Sequence, residues 1–171
     1  MSFQALAKAR WSVRSFQDKP IPEDVMQLIL EAGHVAPTAR NSQPQRIFVV
    51  KSPEARKKLA SVCPCTFDAP VILVIGYDTE RVYQSRLQPG HNYGQIDTSI
   101  VGTHMMLQAW DLGIGSCWVG YFNADQVREA LGLPETVQVC SLLPMGYPAE
   151  DAKPAAFHSQ FRPMAETVEE L

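Results

Sequence analysis

The chain has 171 residues, of which 46% are hydrophobic and 19% charged, and its formal net charge is -3. This length and composition suit one domain with a single core, and the small negative charge argues against nucleic acid as a partner. Because the longest apolar run, residues 71–76, cannot span a bilayer and no secretory signal is visible, we expect a cytoplasmic protein without a membrane partner.

The first half of the chain is predicted to form three helices and two strands. Residues 2–9 form a short helix, and a second covers residues 22–36, with proline and acidic residues at its start and a proline after its end. Residues 46–51 are predicted as a strand and residues 53–62 as a charged amphipathic helix. Residues 70–77 are apolar throughout, which predicts a strand buried on both faces.

The longest predicted helix lies in the second half of the chain. Residues 80–94 lack periodicity and are predicted as a long loop. Residues 95–112 then form the longest helix, and Gly113 ends it. Apolar or small residues occupy both faces of this helix, which predicts a central and wholly buried position.

Three further elements follow this helix. Residues 116–121 and 137–145 are predicted as strands, and residues 123–131 as a helix between them. Asn123 is placed as the N-cap of that helix, with Gln126 three residues later in a capping-box arrangement. By itself, the alternation of helices and strands favours a parallel, doubly wound sheet.

Two polar stretches near the N-terminus have the composition of a site for a phosphorylated cofactor. In the first, Arg10 and Arg14 flank Ser12, and two guanidinium groups with a hydroxyl between them suit a phosphate. The second, residues 36–46, is rich in side-chain amides and hydroxyls, and its prolines limit its backbone freedom. Such a stretch can present several donors and acceptors to a planar polar heterocycle.

These stretches and two later ones resemble the FMN-dependent nitroreductase family, and the resemblance covers essentially the whole chain. Family members open with Arg-x-Ser-x-Arg, here residues 10–14, and continue a helix later with Ala-Pro-Ser/Thr-x-x-Asn-x-Gln-Pro, here residues 36–44. The later matches are Leu-Gly-Ile-Gly-Ser-Cys-Trp-Val-Gly at residues 112–120 and Met-Gly-Tyr-Pro-Ala-Glu at residues 145–150, followed by the basic tail residue Arg162.

The resemblance implies an α+β fold in which helices cover both faces of a mixed, mostly antiparallel sheet, giving three α-β-α layers. It also implies a single nitroreductase-like domain over residues 1–171, assembled as an intertwined homodimer. The C-terminal tail, about residues 147–171, would cross to the partner subunit. This tail has too few large apolar residues for a core of its own, yet Phe157 and Phe161 need burial.

By the resemblance, FMN is the cofactor and its flavin N5 performs the chemistry without a catalytic side chain. Arg10 lies on the phosphate side, and Arg14 reaches the pyrimidine edge, where a cation supports the charge that reduction creates. Some members add a lysine before the second strand, and residues 63–68 of this chain contain none. The predicted cofactor contacts are Arg10, Trp11, Ser12, Arg14, Thr38, Asn41, Gln43, Trp118, Val119, Gly120 and Arg162.

Simpler interpretations of several of these residues stay open. Residues 38–43, which by the resemblance contact the flavin bound mainly by the other subunit, are also typical of a polar turn. Trp118 suits an ordinary core position, and a tail arginine such as Arg162 is usually solvated. Cys63 and Cys65 are one residue apart and do not form a Cys-x-x-Cys pair, so we expect free thiols and no metal site.

The resemblance implies an FMN-dependent NAD(P)H oxidoreductase that reduces nitroaromatic, quinone or related small-molecule acceptors by a ping-pong hydride transfer. One alternative is a specialised flavin enzyme of the same family, acting in dehalogenation or flavin fragmentation. Another is a flavin-binding protein without turnover that serves storage or sensing. No adenosine-binding domain distinguishes NADH from NADPH, and residues 80–94 contain no motif that identifies the acceptor.

Overall fold

A computed structural model describes residues 2–171 of the chain. Within this range the helices are α1 (Phe3–Ala9), α2 (Glu23–His34), α3 (Pro53–Ala60), α4 (Gly94–Asp111) and α5 (Ala124–Leu131). The strands are β1 (Gln45–Val50), β2 (Val71–Asp78), β3 (Gly115–Ser116) and β4 (Val137–Gly146), and single 3-10 turns cover Ala39–Asn41 and Met164–Glu166. No helix in the described range is long and apolar enough to cross a membrane.

The four strands form one sheet in the order β1-β2-β4-β3, and every neighbouring pair is antiparallel. All eight residues of β2, a central strand, are buried, as the apolar residues 70–77 predict. The parallel sheet suggested by the alternation of elements is therefore wrong, and the α+β fold implied by the family resemblance is confirmed. Within residues 2–171, parallel pairing is limited to an isolated bridge between Ser12 and Ser116.

Helices cover both faces of the sheet and give the chain its three layers. On one face, α2 and α4 pack over buried residues that include Met26, Ile29, Leu73, Val101, Met105 and Leu143. On the other face, α3 and α5 pack over residues that include Leu59, Val74, Val127, Val139 and Leu142. Leu73 and Val74 are neighbours in β2 and enter opposite cores, as the two-residue period of a strand requires.

Two glycines allow α4 to pack closely against its neighbours. A Cβ atom on Gly102 would lie 2.5 Å from the Trp118 indole, and one on Gly33 would lie 2.7 Å from Cγ of Met105. A larger residue at either position would have to push the facing side chain away, because the surrounding interior is close-packed. The glycines therefore set how near α4 approaches α2 and the segment after β3.

In the single chain α4 is buried on one side only, so the predicted complete burial is not reached within one chain. Ile96 on its outward side is 47% exposed, and Phe3 of α1 and Val35 beside α2 are 71% and 70% exposed. Two open grooves, of about 550 and 580 Å³, are bordered by these three residues together with Ile100 and Leu107. We call these five residues (Phe3, Val35, Ile96, Ile100 and Leu107) the groove face. Apolar exposure on this scale is typical of a surface that meets another protein.

Several elements are shorter than predicted, with α1 and α3 losing one or two residues at an end. Helix α2 ends at His34 instead of residue 36, because Pro37 disfavours the helical conformation in the residue before it. Strand β3 ends at Ser116 instead of residue 121, and beyond it a single bridge, at Val119, pairs the segment with β4. Cys117 and Val119 continue to hydrogen-bond β4, but these bonds do not extend the regular strand.

The last part of the chain contributes little to the core. Residues 153–171 form only local turns, and Phe157, Phe161 and Met164 are 68%, 84% and 77% exposed. Every hydrogen bond described for residues 155–171 joins two residues of the tail. The single chain therefore leaves the apolar side chains of the tail uncovered.

The N-cap of α5 tests a purely local prediction. The Asn123 side-chain oxygen accepts the Gln126 backbone N–H at 3.1 Å, and no return bond from the Gln126 side chain is described. We expect Asn123→Ala to lower the free energy of unfolding by about 1 kcal/mol, because a helix N–H loses its acceptor. Gln126→Ala is the matched control and should have a much smaller effect. Equal losses for both variants in equilibrium urea unfolding would contradict a one-sided cap.

Candidate functional site

Residues 10–14 run beside β3 and are fixed to it by their backbone. The Val13 N–H donates to the Ser116 carbonyl at 3.0 Å, and Ser12 forms the parallel bridge with Ser116. The Val13 side chain is fully buried. Because alternate side chains of an extended segment point to opposite sides, Ser12 and Arg14 lie on the side away from Val13. The structure thus places the predicted phosphate-binding residues together on one side of an anchored segment.

The two arginines of this segment have no carboxylate partner. No Asp or Glu oxygen within residues 2–171 lies within 4.0 Å of either guanidinium group, and Arg14 Nη1 donates to the Ser12 carbonyl at 3.2 Å. The buried Cys117 thiol lies nearby: burial raises its pKa, and Arg14, the Ser12 hydroxyl and Arg10 offset part of that rise. Two guanidinium groups and a hydroxyl therefore remain for an external anion.

The segment after β3 presents backbone donors outward. The N–H groups of Cys117 and Val119 donate to carbonyls of β4 at 3.1 and 2.9 Å. Alternate N–H groups of an extended segment face opposite edges, so those of Trp118 and Gly120 face away from β4. Neither of these two has a hydrogen-bond partner among residues 2–171. Val119, in contrast, is buried and fully engaged with β4.

Trp118 is partly a core residue and partly a surface residue. Its indole rests against Gly102 of α4, yet the residue is 36% exposed. A Cβ atom added to Gly120 would meet no atom within 4 Å, and an open groove of about 470 Å³ borders Gly120, Tyr121 and Pro64. A flat ring can therefore approach the outward N–H groups without displacing a side chain.

The predicted polar segment, residues 38–43, folds into a compact turn. The Gln43 N–H donates to the Thr38 hydroxyl at 3.0 Å, and the Gln43 side-chain amide donates to the Asn41 side-chain oxygen at 2.8 Å. Arg40, Asn41 and Gln43 have φ values of 52°, 54° and 47°, which residues other than glycine rarely adopt. The segment is a polar turn, as one interpretation of its sequence predicts, and its Asn41 and Gln43 side chains are exposed.

A buried carboxylate that the sequence motifs missed holds this turn. Asp97 of α4 is 2% exposed, and its Oδ1 accepts the Ala39 N–H at 2.9 Å. Burial raises the pKa of Asp97, and the hydrogen bond from the Ala39 N–H offsets part of that rise. Asp97 is the one Asp, Glu, Lys or Arg between positions 94 and 110. Its isolation among the uncharged residues before Asp111 at the end of α4 is the sequence feature that could have identified it.

The loop between β2 and α4 contacts the same turn. The Arg40 guanidinium lies 5.7 Å from the ring centre of Tyr83, a cation–π contact. The Tyr83 ring lies 5.6 Å from that of Tyr93, which the His91 ring meets edge-on at 5.1 Å. Arg40, which no motif explains, thus connects the polar turn to an aromatic loop without helix or strand over residues 80–93.

The two remaining predicted contacts, Trp11 and Arg162, lie apart from these groups. The Trp11 indole packs edge-on against Trp110 in the last turn of α4, with ring centroids 6.0 Å apart. Arg162 lies in the exposed tail, and no hydrogen bond or ion pair described for residues 2–171 joins it to Arg10 or Arg14. The single chain therefore does not bring the tail arginine to the anion site.

Two groups of predicted contacts attach near opposite ends of α4, whereas Trp118 rests on Gly102 in its middle. Asp97 ties residues 38–43 to its first turn, whereas Trp110 in its last turn packs against Trp11, next to Arg10. Trp110 comes thirteen residues after Asp97, and this separation corresponds to about 20 Å along the helix. No hydrogen bond described for residues 2–171 joins the turn of residues 38–43 to residues 10–14, and we call these two groups the two partial sites.

Two of the four cysteines, Cys63 and Cys117, are buried, and the other two are half-buried. Cys63, Cys65, Cys117 and Cys140 are all free, and burial raises the pKa values of Cys63 and Cys140. Protonated, buried thiols are poor nucleophiles and poor metal ligands. The described part of the chain contains no group of three or more His, Cys, Asp or Glu residues that could hold a metal ion.

Comparison with known families matches this chain over most of its length. The model of the nitroreductase family aligns with residues 7–66 and 63–147. The chain belongs to the nitroreductase family. The predicted family is confirmed, and every predicted cofactor contact of this nitroreductase-family chain except Arg162 falls within the matched residues.

Curated relatives of this nitroreductase-family chain include oxidoreductases of archaea and bacteria. A protein of Methanothermobacter thermautotrophicus, provisionally named NADH dehydrogenase/NAD(P)H nitroreductase, is 32% identical over 151 residues, which cover 84% of this chain and 76% of that protein. An NADH dehydrogenase of Thermus thermophilus is 28% identical over 180 residues, with 87% and 88% of the two chains covered.

Solved structures of nitroreductases share this fold. A nitroreductase family protein of Clostridium difficile has a TM-score of 0.92 and 36% identity, with 99% of this chain and 98% of that chain covered. A protein of Desulfovibrio desulfuricans, provisionally described as a nitroreductase and solved in complex with FMN, has a TM-score of 0.83 and 27% identity, with 98% and 95% covered. The similarity therefore extends through the C-terminal tail.

Proposed function

We propose that this chain is an FMN-dependent NAD(P)H oxidoreductase that reduces nitroaromatic, quinone or related small-molecule acceptors. The observation that carries the proposal is the anchored segment of residues 10–14, whose two guanidinium groups lack carboxylate partners. The relatives' names support NAD(P)H as electron donor, and the FMN complex of the Desulfovibrio desulfuricans protein supports the cofactor. We further propose that residues 1–171 act as one domain.

The residues present fit FMN. One compact cluster of Arg10, Ser12 and Arg14 suits a single phosphate and the nearby ring edge, and the sequence contains no Gly-x-Gly-x-x-Gly fingerprint for a dinucleotide. The open surface at Trp118 and Gly120 suits a flat ring. We assign Arg10 and Ser12 to the phosphate side and Arg14 to the pyrimidine edge, with Trp11 beside them.

Arg10, Ser12 and Arg14 would hold FMN, which would supply the hydride chemistry of a ping-pong reaction between NAD(P)H and an acceptor. The protein's part is binding, orientation and electrostatics. The Trp118 and Gly120 N–H groups, with Val119 behind them, orient the ring edge as preorganised donors. Arg14 stabilises the negative charge that reduction creates, and because its guanidinium is fixed before the reaction, little reorganisation is needed.

We assign the second partial site, Thr38, Asn41 and Gln43, to the FMN held mainly by a second copy of the chain. Three observations support a homodimer with two shared sites: the points at which the two groups attach to α4 are about 20 Å apart along the helix, the groove face is apolar and partly exposed, and the tail has no cover in the single chain. In this arrangement the tail crosses to the partner and brings Arg162 to the phosphate.

We expect the protein to copurify with FMN and not with FAD, because its arginine cluster matches one phosphate. Heat release followed by chromatography identifies the flavin. Recovery of FAD, or no flavin binding even after reconstitution with FMN, would contradict the proposal.

Turnover is tested on the same preparation. NADH or NADPH should bleach the flavin band near 450 nm under anaerobic conditions, and a nitroaromatic or quinone should restore it. A yellow protein that neither nicotinamide bleaches would be a flavin-binding protein without turnover. A panel of acceptors then orders the substrate classes by kcat/KM.

A further inference from the structure

One side chain, Asp97, makes the hydrogen bond that holds the turn of residues 38–43 to α4. Among residues 2–171, the bond from the Ala39 N–H to Asp97 Oδ1, at 2.9 Å, is the one hydrogen bond described between this turn and another element. The other described bonds of the turn are internal, such as those from Gln43 to Thr38 and Asn41. The turn would therefore lose its hydrogen-bonded attachment to α4 if Asp97 lost its acceptor.

The turn needs such an attachment because its backbone is strained. Arg40, Asn41 and Gln43 all have positive φ values, and a side chain crowds the backbone in that region. Strained conformations of this kind persist where surrounding contacts impose them, and they occur preferentially at functional sites. A turn released from α4 would relax towards more common backbone conformations and alter the spacing of its exposed amide groups.

The burial of Asp97 has no explanation within α4 itself. Its carboxylate is 2% exposed, its Oδ2 is buried without a hydrogen-bond partner in the described chain, and it accepts no described N–H of its own helix. A buried, half-satisfied carboxylate is costly, so a purely structural position would be expected to hold an apolar residue. Its position in the first turn of α4, where the helix dipole favours negative charge, offsets part of that cost.

We propose that Asp97 is a positioning residue, which holds residues 38–43 in the conformation that presents Thr38, Asn41 and Gln43 to FMN. The inference rests on the proposed function for its ligand and on the Ala39–Asp97 bond for its mechanism. Position 97 requires a side-chain oxygen that accepts the Ala39 N–H. Asn keeps such an acceptor in its side-chain amide oxygen, whereas Ala has none.

The first experiment measures the turn without reference to FMN. Arg40 is exposed and lies inside the turn, so trypsin cleavage after Arg40 reports its release. In the purified full-length protein, Asp97→Ala should accelerate this cleavage on the order of tenfold relative to cleavage after Lys58 in α3. Asp97→Asn should cleave at the wild-type rate. Equal rates for Asp97→Ala and wild type would overturn the proposal.

The second experiment measures FMN affinity by quenching of flavin fluorescence. We expect Asp97→Ala to raise the Kd on the order of tenfold and Asp97→Asn to stay within about twofold of wild type. The matched control is Asp125→Ala, which removes a first-turn carboxylate from α5, where it pairs with Arg128 away from the turn. A Kd in Asp97→Ala equal to that of wild type, or equal loss in the Ala and Asn variants, would overturn the positioning role.

A third variant removes the same bond from the other side. Ala39→Pro deletes the donor N–H, at the first residue of a 3-10 turn that proline tolerates, and the preceding Thr38 is extended, with φ -131° and ψ 156°. This variant should weaken FMN binding as Asp97→Ala does, and the double variant should add no further loss. It also keeps the proposal testable if Asp97→Ala fails to fold. Additive losses would overturn the inference.

Failure of the inference and failure of the proposed function give different results. If the wild-type protein binds no FMN, the proposed function is refuted, and cleavage after Arg40 still decides whether Asp97 holds the turn. If wild type binds FMN and Asp97→Ala binds it equally well, the proposed function stands and the inference fails.

Discussion

Deletion of residues 155–171 is expected to abolish both dimerisation and FMN binding. The tail exposes Phe157, Phe161 and Met164, and all of its described hydrogen bonds are internal, so its apolar side chains require a surface outside the single chain. The groove face is an apolar surface that is likewise uncovered. Removing the tail takes away both the apolar anchor and Arg162, and FMN affinity should fall by more than any point substitution causes.

Arg162→Ala in the full-length chain separates the two losses. It removes the charge that we propose to contact the phosphate and leaves the apolar tail, so it should weaken FMN binding while the protein remains a dimer. Sedimentation velocity gives the oligomeric state, and fluorescence quenching gives the FMN affinity. A truncated protein that stays yellow and sediments as a stable monomer would refute the crossing of the tail.

Arg14→Ala is expected to lower the flavin reduction potential more than it weakens FMN binding. Negative charge appears at the pyrimidine edge only on reduction, so a cation there stabilises one redox state more than the other. Arg14 is exposed in the single chain. Its stabilisation of the reduced flavin relative to the oxidised flavin is therefore expected to be about 1 kcal/mol. For a two-electron couple about 1.4 kcal/mol corresponds to roughly 30 mV, so we expect a drop of tens of millivolts.

Arg10→Ala should show the reverse pattern. The phosphate is charged in both redox states, so Arg10 contributes uniform binding, and its loss should weaken FMN affinity with little change in potential. Redox titration against dyes of known potential, together with FMN affinity, compares the two variants. Arg128→Ala, which removes an arginine paired with Asp125 on α5, controls for the loss of one positive charge. An unchanged potential in Arg14→Ala would assign the stabilisation of reduced flavin to another group.

Local sequence patterns determined most of the elements of this fold. The Asn123 side chain caps α5 as its spacing to Gln126 predicts, and Gly113, with φ 78°, follows the end of α4. These features depend on residues within about one helical turn of each other, so the sequence states them directly. The cluster of Arg10, Ser12 and Arg14 is also local, because its spacing alone places all three on one side of an extended segment.

Strand direction, in contrast, depends on contacts between distant residues. The alternation of helices and strands suggests a parallel sheet, yet β2 pairs antiparallel with both β1 and β4. Periodicity records which side of each element is buried, and it contains no information about which neighbour buries it. The family resemblance supplied the correct topology because homologous chains keep their long-range pairing.

What the sequence by itself determined is therefore the position of the elements, the buried strand β2 and the spacing of two arginines and a serine within residues 10–14. The tertiary structure alone decided that α4 has an uncovered side, that Trp118 rests on Gly102, and that Asp97 reaches Ala39 across 58 positions of the chain. The physical reason is the same in each case. Packing and hydrogen bonds between distant segments form only when the whole chain has folded, and the partial sites at the two ends of α4 follow from that packing.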